Sequence, residues 1–292
     1  MIIVKLIGGL GNQLFQYALG RNLAQKKNTE LKLDISGFEE YKLHKYGLHH
    51  YNIIENIATQ EDIQRFKPTQ RQFFSYVTNK ISKRILPWYK QKYIIEPDIS
   101  YNSDILKIAG DAYIEGYWQS EKYFAEISGI IMNEFSVKNE PDELNREMLT
   151  IINSTNSVSL HIRRGDYVSN RKTMEFHGVL GIDYYKRALN FMEEKVKNPL
   201  IFIFSDDIPW AKDNLKTDLP LHFINHNRVE RNFEDLRLMS NCKHNIIANS
   251  SFSWWGAWLN KFPNKHVCAP GNWFNSSENN TKDLIPASWH II

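Results

Sequence analysis

The chain has 292 residues, 42% hydrophobic and 24% charged, with 36 basic against 33 acidic side chains and a formal net charge of +3. That composition excludes collagen-like, mucin-like and disordered chains, and the length suits one large domain or two of moderate size. So small a basic surplus argues against nucleic-acid binding, and the two cysteines, Cys242 and Cys268, supply neither a disulfide framework nor a zinc spacing.

Residues 2–7, apolar except for Lys5, read as a buried first strand. The stretch is too short, and has no basic region before it, to act as a secretory signal. No apolar run reaches the roughly 18–20 residues that span a bilayer, so a cytoplasmic protein is expected. A glycine turn, Gly8-Gly9-Leu10-Gly11, leads into a helical pattern that runs to about Lys27, and Leu31 to Asp34 is a short second strand. This β-turn-α-β opening predicts a parallel sheet covered by helices. Gly9-x-Gly11-x-x-Leu14, with Asp34 after it, imitates a dinucleotide fingerprint. Leu14 stands where the third glycine belongs and should hinder close helix–strand packing. An oxidoreductase using NAD or FAD is therefore the lesser reading. Asn12 and Gln13, expected to be exposed in the turn with Gly9 and Gly11, better suit hydrogen bonding to a polyhydroxyl ligand.

Residues 38–110 carry mixed patterns. Their basic stretch, Lys80 to Lys92, holds Lys80, Lys83, Arg84, Lys90 and Lys92 among Ile81, Ile85, Trp88 and Tyr89. It reads as a solvated face, with weak peripheral contact to an anionic membrane, the inner face of a cell membrane, as the sharper alternative. Residues 112–118 are strand-like. The polar segment 138–156 ends in Asn-Ser-Thr-Asn-Ser, and the domain boundary is expected there, between 155 and 156.

A second α/β series follows. Strand 157–162 ends in Arg163-Arg164-Gly165-Asp166. A helix over 183–197 and an apolar strand over 199–204 lead to Ser205-Asp206-Asp207. Strand 221–224, helix 232–241, strand 244–248, helix 252–259 and a last strand over 266–270 complete the chain. The predicted fold class is α/β, with two Rossmann-like domains, 1–155 and 156–292, facing a cleft. Ligands in such sheets sit beyond the carboxyl ends of the strands.

Three strands of the second half end in polar clusters at that edge. Arg163-Arg164, preceded by His161, suits a pyrophosphate, because a guanidinium keeps its charge and offers a planar fork of donors. The alternative makes Arg164 structural, paired with Asp166. Asn249-Ser250-Ser251-Phe252-Ser253 reads as a strand-to-helix turn whose N–H groups and hydroxyls would hold an anion, or whose serines simply cap the helix. Trp254, Trp255 and Trp258 follow at a spacing that makes at least two of them core residues. Asp206 and Asp207 are adjacent, and no Asp-x-Asp occurs in the chain. One aspartate accepting from a base N–H or a ribose hydroxyl fits better than a metal site.

The motifs GGLGNQLFQYALGRNLA, HIRRGDYV, FHGVLGIDYY, FSDD and NSSFSWWGAWL, in this order over nearly the whole chain, resemble the α-1,2-fucosyltransferases of glycosyltransferase family 11. The resemblance implies a GT-B-like fold with GDP-β-L-fucose as donor and neither metal nor cofactor. It also implies inverting transfer to the 2-hydroxyl of a galactose-containing acceptor glycan. It places Arg163 at the donor β-phosphate with His161 at the same strand end, and Asp235 near the guanine. Asp206 and Asp207 fall beside the nucleoside, the turn from Asn249 to Ser253 at the phosphates, and Asn12 opposite the sugar. The catalytic base stays open among Asp166, Glu175 and His177. A non-catalytic glycan-binding relative would have no need of the pyrophosphate groups.

Overall fold

The computed structural model describes residues 1–40, 44–66, 87–165, 174–175, 178–275 and 282–292. The chain divides into two compact units, Met1–Ser136 and Val137–Ile292.

The first unit is built on four parallel strands, β1 (Ile2–Lys5), β2 (Leu31–Asp34), β3 (Tyr93–Ile95) and β4 (Ala112–Glu115), in the order β2-β1-β4-β3. β1 is flanked on both sides, Ile2 pairing with Leu31 and with Ala112, and its Ile2, Ile3 and Val4 are fully buried. That explains a strand apolar on both faces. Helix α1 (Leu10–Lys27) follows the glycine turn and is buried on nearly all sides of its first three turns. It ends at Asn28 in the left-handed conformation, with Lys26 and Lys27 in its last turn, where cations complement the exposed carbonyls. Two short helices, α2 (Gln60–Gln64) and α3 (Ser128–Glu134), pack outside the sheet.

The second unit carries six parallel strands: β5 (Asn156–Ile162), β6 (Pro199–Ser205), β7 (Leu221–Ile224), β8 (His244–Ile246), β9 (Val267–Ala269) and β10 (His290–Ile291). Their order is β10-β9-β8-β5-β6-β7. Helices α4 (Glu143–Ser154), α5 (Ile182–Lys195), α6 (Ile208–Asn214), α7 (Asn232–Asn241) and α8 (Ser251–Trp258) surround it. Strand alternation assigns the two faces. Val158, Leu160, Ile162, Ile201 and Ile203 pack with Tyr184, Tyr185, Ala188 and Met192 of α5. Phe202 and Phe204 point the other way, onto Met148 and Ile152 of α4 and Leu238 and Met239 of α7. On that second face the polar positions of β5 are satisfied internally: Ser159 accepts from Asn245 at 2.7 Å, and Ser157 from the Lys243 N–H at 3.1 Å.

Three expectations change. The boundary falls after Ser136, earlier than 155/156, because α4 closes one face of the second sheet through Met148 and Ile152. The last strand is β10, which pairs with β9, rather than the segment over 266–270. β3 was unforeseen and forms an edge of the first sheet. Among the described residues no helix is long and apolar enough to cross a membrane. Of the basic stretch, Lys90 and Lys92 are exposed, while Lys80, Lys83 and Arg84 lie outside the described residues.

Candidate functional site

In the second sheet the strand order reverses between β5 and β8, the place where open parallel sheets take ligands. Beyond the carboxyl ends of β5, β6 and β8 lie Arg163 to Gly165, Ser205 to Asp207, and Ile247 to Ser253. Register brings the first two together, since Ile162 pairs with Ser205. Arg163 Nη1 is 3.0 Å from Asp206 Oδ2, and Asp206 Oδ1 accepts the Arg164 backbone N–H at 2.8 Å. Arg164 Nε reaches Asp207 Oδ2 at 3.3 Å, with its guanidinium 4.0 Å from the Trp210 ring centroid. Asp207 also caps α6, accepting the Trp210 N–H at 3.1 Å. Each aspartate thus holds one arginine, and Asp207 is a partner of Arg164 that the sequence did not suggest. Asp166, the partner expected there, lies outside the described residues. Among the described residues, no three His, Cys, Asp or Glu side chains gather as a metal site.

His161 is buried at the end of β5, its ring 5.7 Å from that of Phe252. Burial pushes its pKa down to about 4, against the attraction of Asp206, so the imidazole is neutral near pH 7. Its Nδ1 has no hydrogen-bond partner among the described residues, leaving a polar atom for a ligand. Ser250 caps α8 by accepting the Phe252 N–H at 3.3 Å, and Ser253 accepts the Ala248 N–H at 3.2 Å. These hydroxyls serve the turn itself, so an anion here would be held chiefly by the helix N-terminal N–H groups. Asn249 is buried, its Nδ2 donating to the carbonyls of Gly178 at 3.4 Å and Trp273 at 3.3 Å. Those segments line a cavity of about 380 Å³ with Asp183, Arg187, Asn272, Phe274 and Asn275. Trp254 and Trp255 are fully buried core residues.

Asp235 sits in the first turn of α7. Burial raises its carboxyl to about 6, against a 2.8 Å hydrogen bond from Asn227 Nδ2. Asn227 also exchanges hydrogen bonds with Asn145 of α4, at 2.9 and 3.0 Å, and Asn145 Oδ1 lies 3.0 Å from His226 Nε2. Sequence reasoning missed this support, because Asn145 lies in a segment that looked like a linker.

Of the candidate bases, Glu175 is exposed, and Asp166 and His177 lie outside the described residues.

The glycine turn of the first unit departs from expectation at Gln13, which is fully buried rather than ligand-facing. Its amide accepts the Gly47 N–H at 2.9 Å and donates to the carbonyls of Gly8 and Lys45 at 3.0 and 2.9 Å. Asn12 is only partly buried and accepts from Gln119 Nε2 at 2.8 Å. Gly9 has the His44 ring beside it, and Gly11 is buried inside α1. Asp34 is buried and bonded to the Tyr113 hydroxyl and the Ser36 N–H, so it cannot serve a ribose. The dinucleotide reading fails on that residue as well as on Leu14.

Two parallel α/β units, one with arginines at its switch point, have the architecture of the GT-B fold. The family model described as glycosyl transferase family 11 matches residues 1–292, and the chain belongs to that family. It is similar to an alpha-1,2-colitosyltransferase of Escherichia coli, 36% identical over 99% of this chain and 98% of that one. The Escherichia coli O-antigen biosynthesis glycosyltransferase WbnK is 34% identical over 97% and 98% of the two chains. Among solved structures, the fucosyltransferase NodZ from Bradyrhizobium aligns at TM-score 0.52 and 11% identity, covering 87% of this chain and 91% of that one. A mutant of Arabidopsis thaliana FUT1 in complex with GDP aligns at 0.51 and 11%, covering 95% and 72%. At such identities these structures speak to the fold.

Proposed function

We propose that this chain transfers L-fucose from GDP-β-L-fucose to the 2-hydroxyl of a galactose-containing acceptor glycan, inverting the donor to an α-1,2 linkage without a metal ion. The observation behind this reading is the pair of arginines, each gripped by its own aspartate, at the switch point of the second sheet. Breaking the fucosyl–phosphate bond leaves negative charge on GDP. Arg163 and the N-terminal N–H groups of α8 are the groups suited to stabilise it. Neutral His161 contributes a hydrogen bond without adding charge. Asp235 accepts from the guanine N–H groups. The acceptor hydroxyl attacks the anomeric carbon from the opposite face and gives its proton to one of Asp166, Glu175 or His177. The second unit holds the donor and the first the acceptor.

The 36% identical relative carries a colitosyltransferase name, which favours a second donor, the corresponding colitose nucleotide. Release of GDP, followed with lactose as acceptor and each donor in turn, decides. Release from the fucose donor supports the proposal, and release from the colitose donor alone moves the assignment to colitose. Release from neither overturns both.

A further inference from the structure

The first sheet has a switch point of its own. Its order reverses between β1 and β4, so the carboxyl ends of these strands flank the place where a ligand would lie. β1 leads into the glycine turn and β4 into Gly116-Tyr117-Trp118-Gln119. The two turns are tied together: Gln16 Nε2 donates to the Gly116 carbonyl at 3.0 Å, and Gln119 Nε2 to Asn12 Oδ1 at 2.8 Å.

A third segment locks the second turn. Glu96, the residue after β3, accepts the backbone N–H groups of Tyr117 at 2.6 Å and Trp118 at 3.0 Å. No side chain fits at position 116, where a Cβ would lie 2.4 Å from that of Glu96. Trp118 adopts a left-handed backbone, φ 57°, which for a bulky residue costs on the order of 1–3 kcal/mol. Its Nε1 is buried with no hydrogen-bond partner among the described residues. A carboxylate and a strained backbone therefore fix a conformation that leaves Tyr117 46% exposed. An exposed tyrosine on the same turn as Gln119, whose amide is paired with that of Asn12, offers an aromatic face with both donors and acceptors, which suits a neutral polyhydroxyl ring far better than a phosphate.

We propose that Tyr117, Gln119 and Asn12 form the acceptor subsite, with the Tyr117 ring stacking on a pyranose face and the amide pair binding its hydroxyls. Glu96 is the positioning residue that holds the turn in place. This rests on the reading that the chain glycosylates a sugar hydroxyl. Burial raises the Glu96 carboxyl to about 7, with Asp98 adding repulsion and Tyr123 facing it. Protonated, Glu96 cannot accept from both N–H groups, so the turn loosens as pH falls through that value.

The test is steady-state kinetics with lactose and GDP-fucose, together with calorimetry of GDP. Tyr117→Ala raises the acceptor KM about tenfold, as loss of one aromatic contact predicts, and leaves GDP affinity within about twofold. Tyr117→Phe, which keeps the ring, restores it. Glu96→Gln raises the acceptor KM at pH 8 and abolishes its rise below pH 7. An unchanged acceptor KM in folded Tyr117→Ala overturns the subsite, and an unchanged pH profile in Glu96→Gln overturns the positioning role. If the wild type transfers no fucose, the donor reading fails and the subsite is judged by saturation-transfer NMR with a panel of galactosides. Signals lost in Tyr117→Ala then support it, while signals retained, or none with wild type, overturn it.

Discussion

Gly165 lies against Asp206: a Cβ on the glycine would stand 2.8 Å from Asp206 Oδ2, the oxygen that binds Arg163. The glycine thus leaves room for the carboxylate that orients the arginine. Gly165→Ala is expected to displace Asp206 and misalign Arg163, lowering kcat by up to about 10²-fold, the scale of a 1 Å misplacement. Donor-saturated kinetics check this, with the melting temperature nearly unchanged because Gly165 is outside the core.

Arg163→Ala should lower kcat by about 10²–10³, the usual loss when one stabilising donor is removed from a developing anion. Arg163→Lys should recover little of it, since lysine keeps the charge without the planar fork. Near wild-type kcat/KM in a folded Arg163→Ala protein would exclude the leaving-group role.

Asp235 carries a pH signature. Its carboxyl sits near 6 in the folded protein because it is buried, so it is ionised at pH 7.5 and takes up a proton as pH falls through 6. The donor KM should then rise below pH 6, because a protonated oxygen no longer accepts from guanine. In Asp235→Asn the donor KM should be high at every pH. A wild-type donor KM that stays flat from pH 5 to 8 contradicts the guanine contact.

His244 predicts acid sensitivity away from the site. Burial, with His266 and Lys243 nearby, pushes it down to about 4, whereas in the unfolded chain it titrates near 6.5. The unfolded state therefore binds the proton first. Stability is whole above pH 6.5 and falls as pH drops toward 4, by on the order of 2 kcal/mol. His244 Nδ1 accepts the His266 N–H at 3.0 Å, a bond that His244→Asn can retain. That variant should show a shallower fall in melting temperature between pH 6.5 and 4.

Transfer is expected to survive EDTA, because Asp206 and Asp207 are each committed to an arginine. Complete loss in chelator, restored by Mn²⁺ or Mg²⁺, would make these carboxylates metal ligands instead.

In the second unit β5 was legible as an alternation of apolar and polar residues that stops at Arg163, and β6 as an apolar run that stops at Ser205. β3 and β10 were not, since three and two residues at a sheet edge carry too little pattern. α4 was hidden by its polar flanks: its buried seam is only Asn145, Met148 and Ile152. The arginine cluster was foreseen, but its pairing was not, because register across β5 and β6 decides which aspartate meets which arginine. Gln13 misled because a buried amide looks like an exposed one in sequence. Its partners Lys45 and Gly47 come from a different loop. Glu96 gave no signal at all, since its role depends on a turn some 20 residues away in the chain.

The position of α4 governs how the halves of such an enzyme can be exchanged between relatives. A chimera joined at residue 156 inherits a sheet whose Phe202 and Phe204 have lost matched partners, and an Asn227 whose companion Asn145 comes from another lineage. Joined at residue 137, the second unit keeps the helix that seals its sheet and the asparagine behind Asp235. Recombination between relatives should therefore succeed at the earlier junction and yield insoluble or donor-blind hybrids at the later one.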